Sequence, residues 1–192
     1  MKRSVLLIGF LAVAALCVAQ TPMYMDFHDM AFVNTPVAMS AQYPGGHNLY
    51  WNNFLHVTPG LWAAAGPGFY VEPVGAHANV LFLGGPPQAI AVGSIEMIPG
   101  IATSPRVPLF QPISMTLSAG WTSNRVLVTA YLQSNAISNV VWNLTTKPQI
   151  FKFPPEWRNV TKLVFTPDPS LKTAVRPTTG SMVIYNFLLV EH

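Results

Sequence analysis

Apolar and polar side chains alternate most clearly between Ile113 and Trp121, where Ile113, Met115, Leu117, Ala119 and Trp121 are interleaved with Ser114, Thr116 and Ser118. A period of two sends successive side chains to opposite faces, so this stretch predicts a half-buried β-strand. Strand-like runs also occupy residues 20–29, 50–57, 69–74, 79–83, 89–98, 125–133, 140–144, 149–153, 160–166 and 182–190, bounded mostly by Gly, Pro, Ser or Asn. The stretch from Gly45 to Gly60 sets the format: a Pro44-Gly45-Gly46 turn leads into Tyr50, Trp51 and Phe54, and Pro59-Gly60 closes the run. Four prolines between Pro99 and Pro112 make residues 99–112 a loop or edge segment. No convincing amphipathic helical pattern competes, and 18 prolines suit turns rather than helices. About ten short strands with closely spaced turn signals read as an all-β, antiparallel sandwich or barrel with little or no helix.

The N-terminus changes how the composition is read. Hydrophobic residues make up 51% of the 192-residue chain and charged residues only 9%, against about 25% charged in an ordinary soluble domain. Lys2 and Arg3 precede an apolar run from Val5 to Val18, and Cys17-Val18-Ala19 offers small side chains to a signal peptidase. That run is shorter than the roughly 20 residues of a spanning helix. The expectation is a signal peptide over residues 1–19, a single β-sandwich domain over 20–192, and a secreted, extracellular protein with no membrane span after cleavage; an uncleaved anchor helix is the alternative. Loss of Lys2 and Arg3 lowers the formal net charge from +3 to +1, which removes the electrostatic case for a nucleic-acid partner. Loss of Cys17, the one cysteine, leaves neither disulfide nor thiol nucleophile. No Lys or Arg lies between Arg3 and Arg106, so the first half of the mature chain is purely acidic and the second carries every cation.

One set of motifs resembles a known group. A strand carries Asp26-Phe27-His28-Asp29. Tyr43-Pro-Gly-Gly-x-x-Leu-Tyr-Trp-Asn-Asn-Phe54 follows, then a Trp121 strand, a strand pair over 126–144, and Val160-Thr-Lys-Leu-Val-Phe-Thr166. Over residues 24–190 this resembles small secreted jelly-roll domains similar to galactose-binding-like carbohydrate-binding modules. The resemblance implies an antiparallel β-sandwich of the jelly-roll type. It also implies a structural Ca²⁺ held by an acid of the first strand and one near the last, positions that Asp26, Asp29 and Glu191 match; plain surface carboxylates are the other reading.

Candidate chemistry narrows the function by elimination first. The five histidines, His28, His47, His56, His77 and His192, fall in no metal-ligand spacing, and Asp26-x-His28 supplies two donors where a catalytic metal needs three. Neither a GxSxG elbow nor a phosphate-binding glycine loop is present. A glycan-cleaving enzyme, which needs paired carboxylates, is the weak alternative to a non-catalytic role. Sugar recognition uses aromatic faces beside amides and carboxylates. Trp62 and Trp157, in Gly/Pro loops, read as exposed stacking residues; Trp51 is balanced between core and site; Tyr50 and Tyr43 come next. Trp121 and Trp142 read as core. Asn48, Asn52 and Asn53 supply neighbouring amides. Asn143-Leu-Thr and Asn159-Val-Thr are N-glycosylation sequons. The resulting expectation is a lectin-like glycoprotein that binds an extracellular glycan or cell-surface partner; the alternative is a small secreted effector or surface-coat protein that binds another protein.

Overall fold

The computed structural model describes residues 21–39, 43, 49–61, 79–83, 92–97, 108–120, 123–167 and 182–192. Twelve strands and one 3₁₀ turn, Pro59–Leu61, lie among them. The strands are β1 (Met23–Met25), β2 (Val37–Ala38), β3 (Leu49–Asn52), β4 (Phe54–Val57), β5 (Val80–Leu83), β6 (Gly93–Met97), β7 (Phe110–Ala119), β8 (Asn124–Leu132), β9 (Asn135–Leu144), β10 (Gln149–Lys152), β11 (Lys162–Pro167) and β12 (Met182–Glu191).

They form two antiparallel sheets. One runs β10-β7-β12-β5-β4-β2, with β1 also on β12; the other runs β3-β6-β11-β8-β9. From β5 to β8, and again from β9 to β12, each successive strand lies in the opposite sheet. Crossing the sandwich at every step is the connection pattern of a jelly roll, so the chain is an antiparallel β-sandwich of that type.

The core between the sheets is drawn from both. Trp51, Ile95, Val128, Trp142 and Leu163 of the five-stranded sheet meet Phe54, Leu81, Met115, Leu117 and Phe187 of the other. Phe187 on β12 is the aromatic hub, with ring centroids 6.3 Å from Trp51, 6.4 Å from Phe110 and 6.0 Å from Phe153. A second cluster, Val57, Val80, Phe82, Val183 and Tyr185, is buried on the other face of β4, β5 and β12. Strands buried on both faces read as unbroken apolar runs rather than alternation, which is why Met182–Tyr185 shows no period of two.

Three elements differ from the sequence expectation, two of them for a local reason. The single strand expected over residues 50–57 is two, β3 and β4, in different sheets. Asn53 between them has φ 62°, a left-handed turn that Asn tolerates better than most side chains. The chain therefore pivots there from one sheet to the other. Strand β7 begins at Phe110, inside the expected loop, and includes Pro112. Its neighbour β10 pairs only with Ser114–Leu117, so the missing Pro112 N–H leaves no gap in that ladder. Strand β9 starts at Asn135 rather than Val140. The strand expected over 69–74 lies outside the described residues, as do Trp62, Trp121 and the expected signal peptide.

Candidate ligand-binding face

Two of the aromatic residues expected to contact ligand belong to the core. Trp157 is 0% exposed. Its indole N–H donates to Ser138 Oγ at 2.6 Å, and its ring packs 5.8 Å from Phe153. A residue beside Pro154-Pro155 was expected to project; it turns inward because the indole finds both an apolar wall and an acceptor there. Trp51 is 2% exposed, edge-on to Phe27, Phe54 and Phe187, with Nε1–H donating to the Tyr43 carbonyl at 2.9 Å. Neither can stack on a sugar. Tyr43 is half-buried: its ring lies 5.6 Å from Phe27 and its hydroxyl donates to Asp29 Oδ1. Burial, followed by the hydrogen bond and charge of Asp29 and the charge of Asp26, pushes its phenol well above the usual range.

The three proposed calcium ligands are not gathered. Asp26 accepts the His28 backbone N–H at 3.2 Å and pairs with His28 Nδ1 at 2.8 Å; Asp29 is taken by Tyr43. Glu191 lies at the far end of β12. Met25, next to Asp26, is opposite Phe187, four residues short of Glu191, or about 13 Å along a strand. No group of three His, Cys, Asp or Glu side chains that could hold a metal occurs among the described residues.

What the fold does assemble is the outer face of the five-stranded sheet. Alternation sends Val126, Val128 and Ala130 of β8 inward and Leu127, Thr129 and Tyr131 outward. The register then places Tyr50, Glu96, Lys162 and Tyr131 in one row across β3, β6, β11 and β8. Asn52, Ser94, Val164, Thr129 and Asn139 form the next row. All but Ser94 are half-exposed or exposed. Three strand spacings separate Tyr50 from Tyr131, about 14 Å.

The polar groups between the two tyrosines are tied together. Asn52 Nδ2–H donates to Glu96 Oε1 at 2.8 Å and to Ser94 Oγ at 3.2 Å, while Lys162 Nζ lies 3.1 Å from Glu96 Oε2. Both carboxylate oxygens are thus engaged, which fixes Glu96 as an acceptor already aligned with an amide and an ammonium. Of the residues expected at the site, only Tyr50 lies in this row. Glu96, Lys162 and Tyr131 were missed because each is an ordinary polar position of an alternating strand, and only the cross-strand register brings them side by side. Both sequon asparagines are exposed, Asn143 on β9 and Asn159 ahead of β11.

No family model and no curated protein matches the chain. Among solved structures, a DUF4465 family protein from Bacteroides ovatus ATCC 8483 is similar to it at a TM-score of 0.54 and 7% identity, over 91% of this chain and 100% of that one. A second, the enzymatically active domain of tailspike protein 4 of bacteriophage CBA120, has a TM-score of 0.37 and 11% identity over 76% of this chain and 19% of that one. At that identity, the likeness to the DUF4465 protein shows the fold alone. No helix among the described residues is long and apolar enough to cross a membrane.

Proposed function

We propose that the protein binds carbohydrate, outside the cell and without cleaving it, on the outer face of its five-stranded sheet. The observation that carries this is the row Tyr50–Glu96–Lys162–Tyr131, two aromatic side chains bracketing a pre-formed carboxylate, ammonium and amide cluster. Aromatic faces take the apolar side of a sugar ring, and aligned polar groups take its hydroxyls. The spacing of the tyrosines suits a ligand longer than one ring. Glu96 is the one carboxylate in the two rows, whereas glycoside hydrolysis uses a flanking pair; the arrangement favours recognition over reaction. The apolar leader at residues 5–18 and the resemblance to galactose-binding-like modules support the extracellular setting.

The test is affinity for a panel of soluble and insoluble polysaccharides. Tyr50→Ala and Tyr131→Ala are each expected to weaken binding about five- to tenfold, the loss of one stacking contact worth about 1–1.5 kcal/mol, with unchanged melting temperature. A chelator is expected to leave binding intact, because Glu191 lies far along β12 from Asp26 and Asp29, and those two carboxylates are engaged by His28 and Tyr43. Absence of binding to any glycan, or binding indifferent to both tyrosines, would overturn the proposal. Trp157→Ala is no substitute for these variants, since it empties a core position.

A further inference from the structure

Among the described residues five strands have a partner on one side only, and they are not equally protected. β1, β2 and β3 span three, two and four residues. β10 spans four, and Lys147, Pro148, Lys152, Pro154 and Pro155 surround or end it. Short length, lysine and proline are the usual guards against one sheet edge pairing with another. β9 has none of these. It runs for ten residues at the end of the five-stranded sheet, and no Lys, Arg, Asp, Glu or Pro occurs from Gln133 to Thr146. Its ladder with β8 is regular from Ser138 to Leu144; the one register shift falls nearer the hairpin, between Ala130 and Tyr131 on β8.

The outward side chains of that regular stretch are Asn139, Val141 and Asn143, paired across to Thr129, Leu127 and Arg125 of β8. Read in either direction the row is Asn-Val-Asn. Antiparallel pairing about a two-fold sets residue i of one copy against j of the other and j against i, and a row that is its own reverse then matches like with like, valine to valine and amide to amide. Val141 is 52% exposed, with its aliphatic surface in water.

We infer that β9 is a self-association edge, pairing antiparallel with β9 of a second copy about a two-fold axis at Val141. Val141 then faces the partner's Val141, and Asn139 faces the partner's Asn143 twice, an apolar contact between two amide pairs. No like charges oppose one another across the seam; the nearest charge, Arg125, is one strand further in. The two five-stranded sheets become one ten-stranded sheet with both outer faces on the same side. This holds whether or not those faces bind sugar. One strand pair is a small interface, so association is expected to rise with concentration rather than to be complete at all dilutions. An N-glycan on Asn143 stands in the same row and would block the seam.

Sedimentation of the full chain, made in a host that adds no N-glycans, tests this over a concentration series. A monomer–dimer equilibrium is expected, with Val141→Lys monomeric throughout and unchanged in circular dichroism. A Val141→Cys variant on a Cys17→Ser background reads the register. It is expected to form a disulfide-linked dimer on mild oxidation at least tenfold faster than Ile150→Cys on the same background, although Ile150 is the more exposed at 71%. A wild-type chain that stays monomeric, a dimer that Val141→Lys leaves intact, or equal cross-linking of the two cysteine variants would each overturn the inference.

Discussion

His56 on β4 is 8% exposed, and its Nδ1 has no hydrogen-bond partner. The strands on either side present no titratable group to it: β2 offers Val37 and Ala38, β5 offers Val80 to Leu83. Burial alone lowers its pKa from the ordinary 6.5. In the unfolded chain the imidazole takes a proton as pH falls through about 6.5, while in the folded chain it does so only at lower pH. The unfolded state therefore gains protons first, and folding stability is lost below about pH 6.5 until the folded pKa is reached. His56→Leu removes both the orphan nitrogen and this loss. Its melting temperature is expected to match or exceed wild type near pH 8 and to exceed it more clearly near pH 5. A variant whose pH dependence parallels that of wild type would refute this assignment. Gly93 is a different kind of constraint. A Cβ there would lie 2.0 Å from Leu83 Cδ2 and 3.0 Å from Phe54 Cε2, so the close approach of β6 to the facing sheet excludes even alanine without repacking.

At the scale of elements, the segment after β1 is fastened by two buried polar side chains. Asn79 Nδ2–H donates to the Met30 carbonyl at 2.8 Å, Thr58 Oγ1–H donates to Asn79 Oδ1 at 2.7 Å, and Thr58 Oγ1 accepts the Val33 N–H at 3.0 Å. This latch lies beside Phe27, buried at 0% with φ 61°, a backbone conformation that a bulky residue adopts only under constraint. Asn79→Ala takes the donor from the Met30 carbonyl and the acceptor from the Thr58 O–H, which keeps only the Val33 N–H, and each loss costs about 1–3 kcal/mol. Urea unfolding is expected to show a lower midpoint at unchanged slope, and an unshifted midpoint would show the latch to be dispensable. Little of this was readable beforehand. Asn79 looks like the polar start of a strand, and its partners are 21 and 49 residues away. The strands themselves were readable where one face is solvated, as in β7 and β8. They were not where Asn53 reverses the backbone, since a left-handed residue leaves the apolar pattern on both sides intact. The same limit explains the aromatic site: exposure was inferred for Trp157 from its loop, but whether a loop tryptophan turns inward depends on an acceptor, Ser138, that only the fold brings near.

For the whole molecule, the uneven charge of the sequence resolves into interleaving. The early, acidic half supplies β1 to β6 and the later half β7 to β12, yet both sheets mix the two. Glu96 of the early half meets Lys162 of the late half across adjacent strands. An exposed pair of this kind contributes at most about 1 kcal/mol, so cohesion rests on the apolar core. That core is shared: Phe187 of the seven-stranded sheet touches Trp51 of the other and also Phe110 and Phe153. If the sheets depend on one core, weakening its hub must weaken both together. Phe187→Leu, which removes ring contacts without introducing a polar group, is expected to cost about 1–3 kcal/mol. Tryptophan fluorescence, which reports on all five tryptophans, the buried Trp51, Trp142 and Trp157 among them, and far-ultraviolet circular dichroism, which reports on both sheets, should shift by the same amount and remain superimposable. Separation of the two curves in the variant would mean that one sheet persists without the other, and the sandwich would then be two coupled units rather than one.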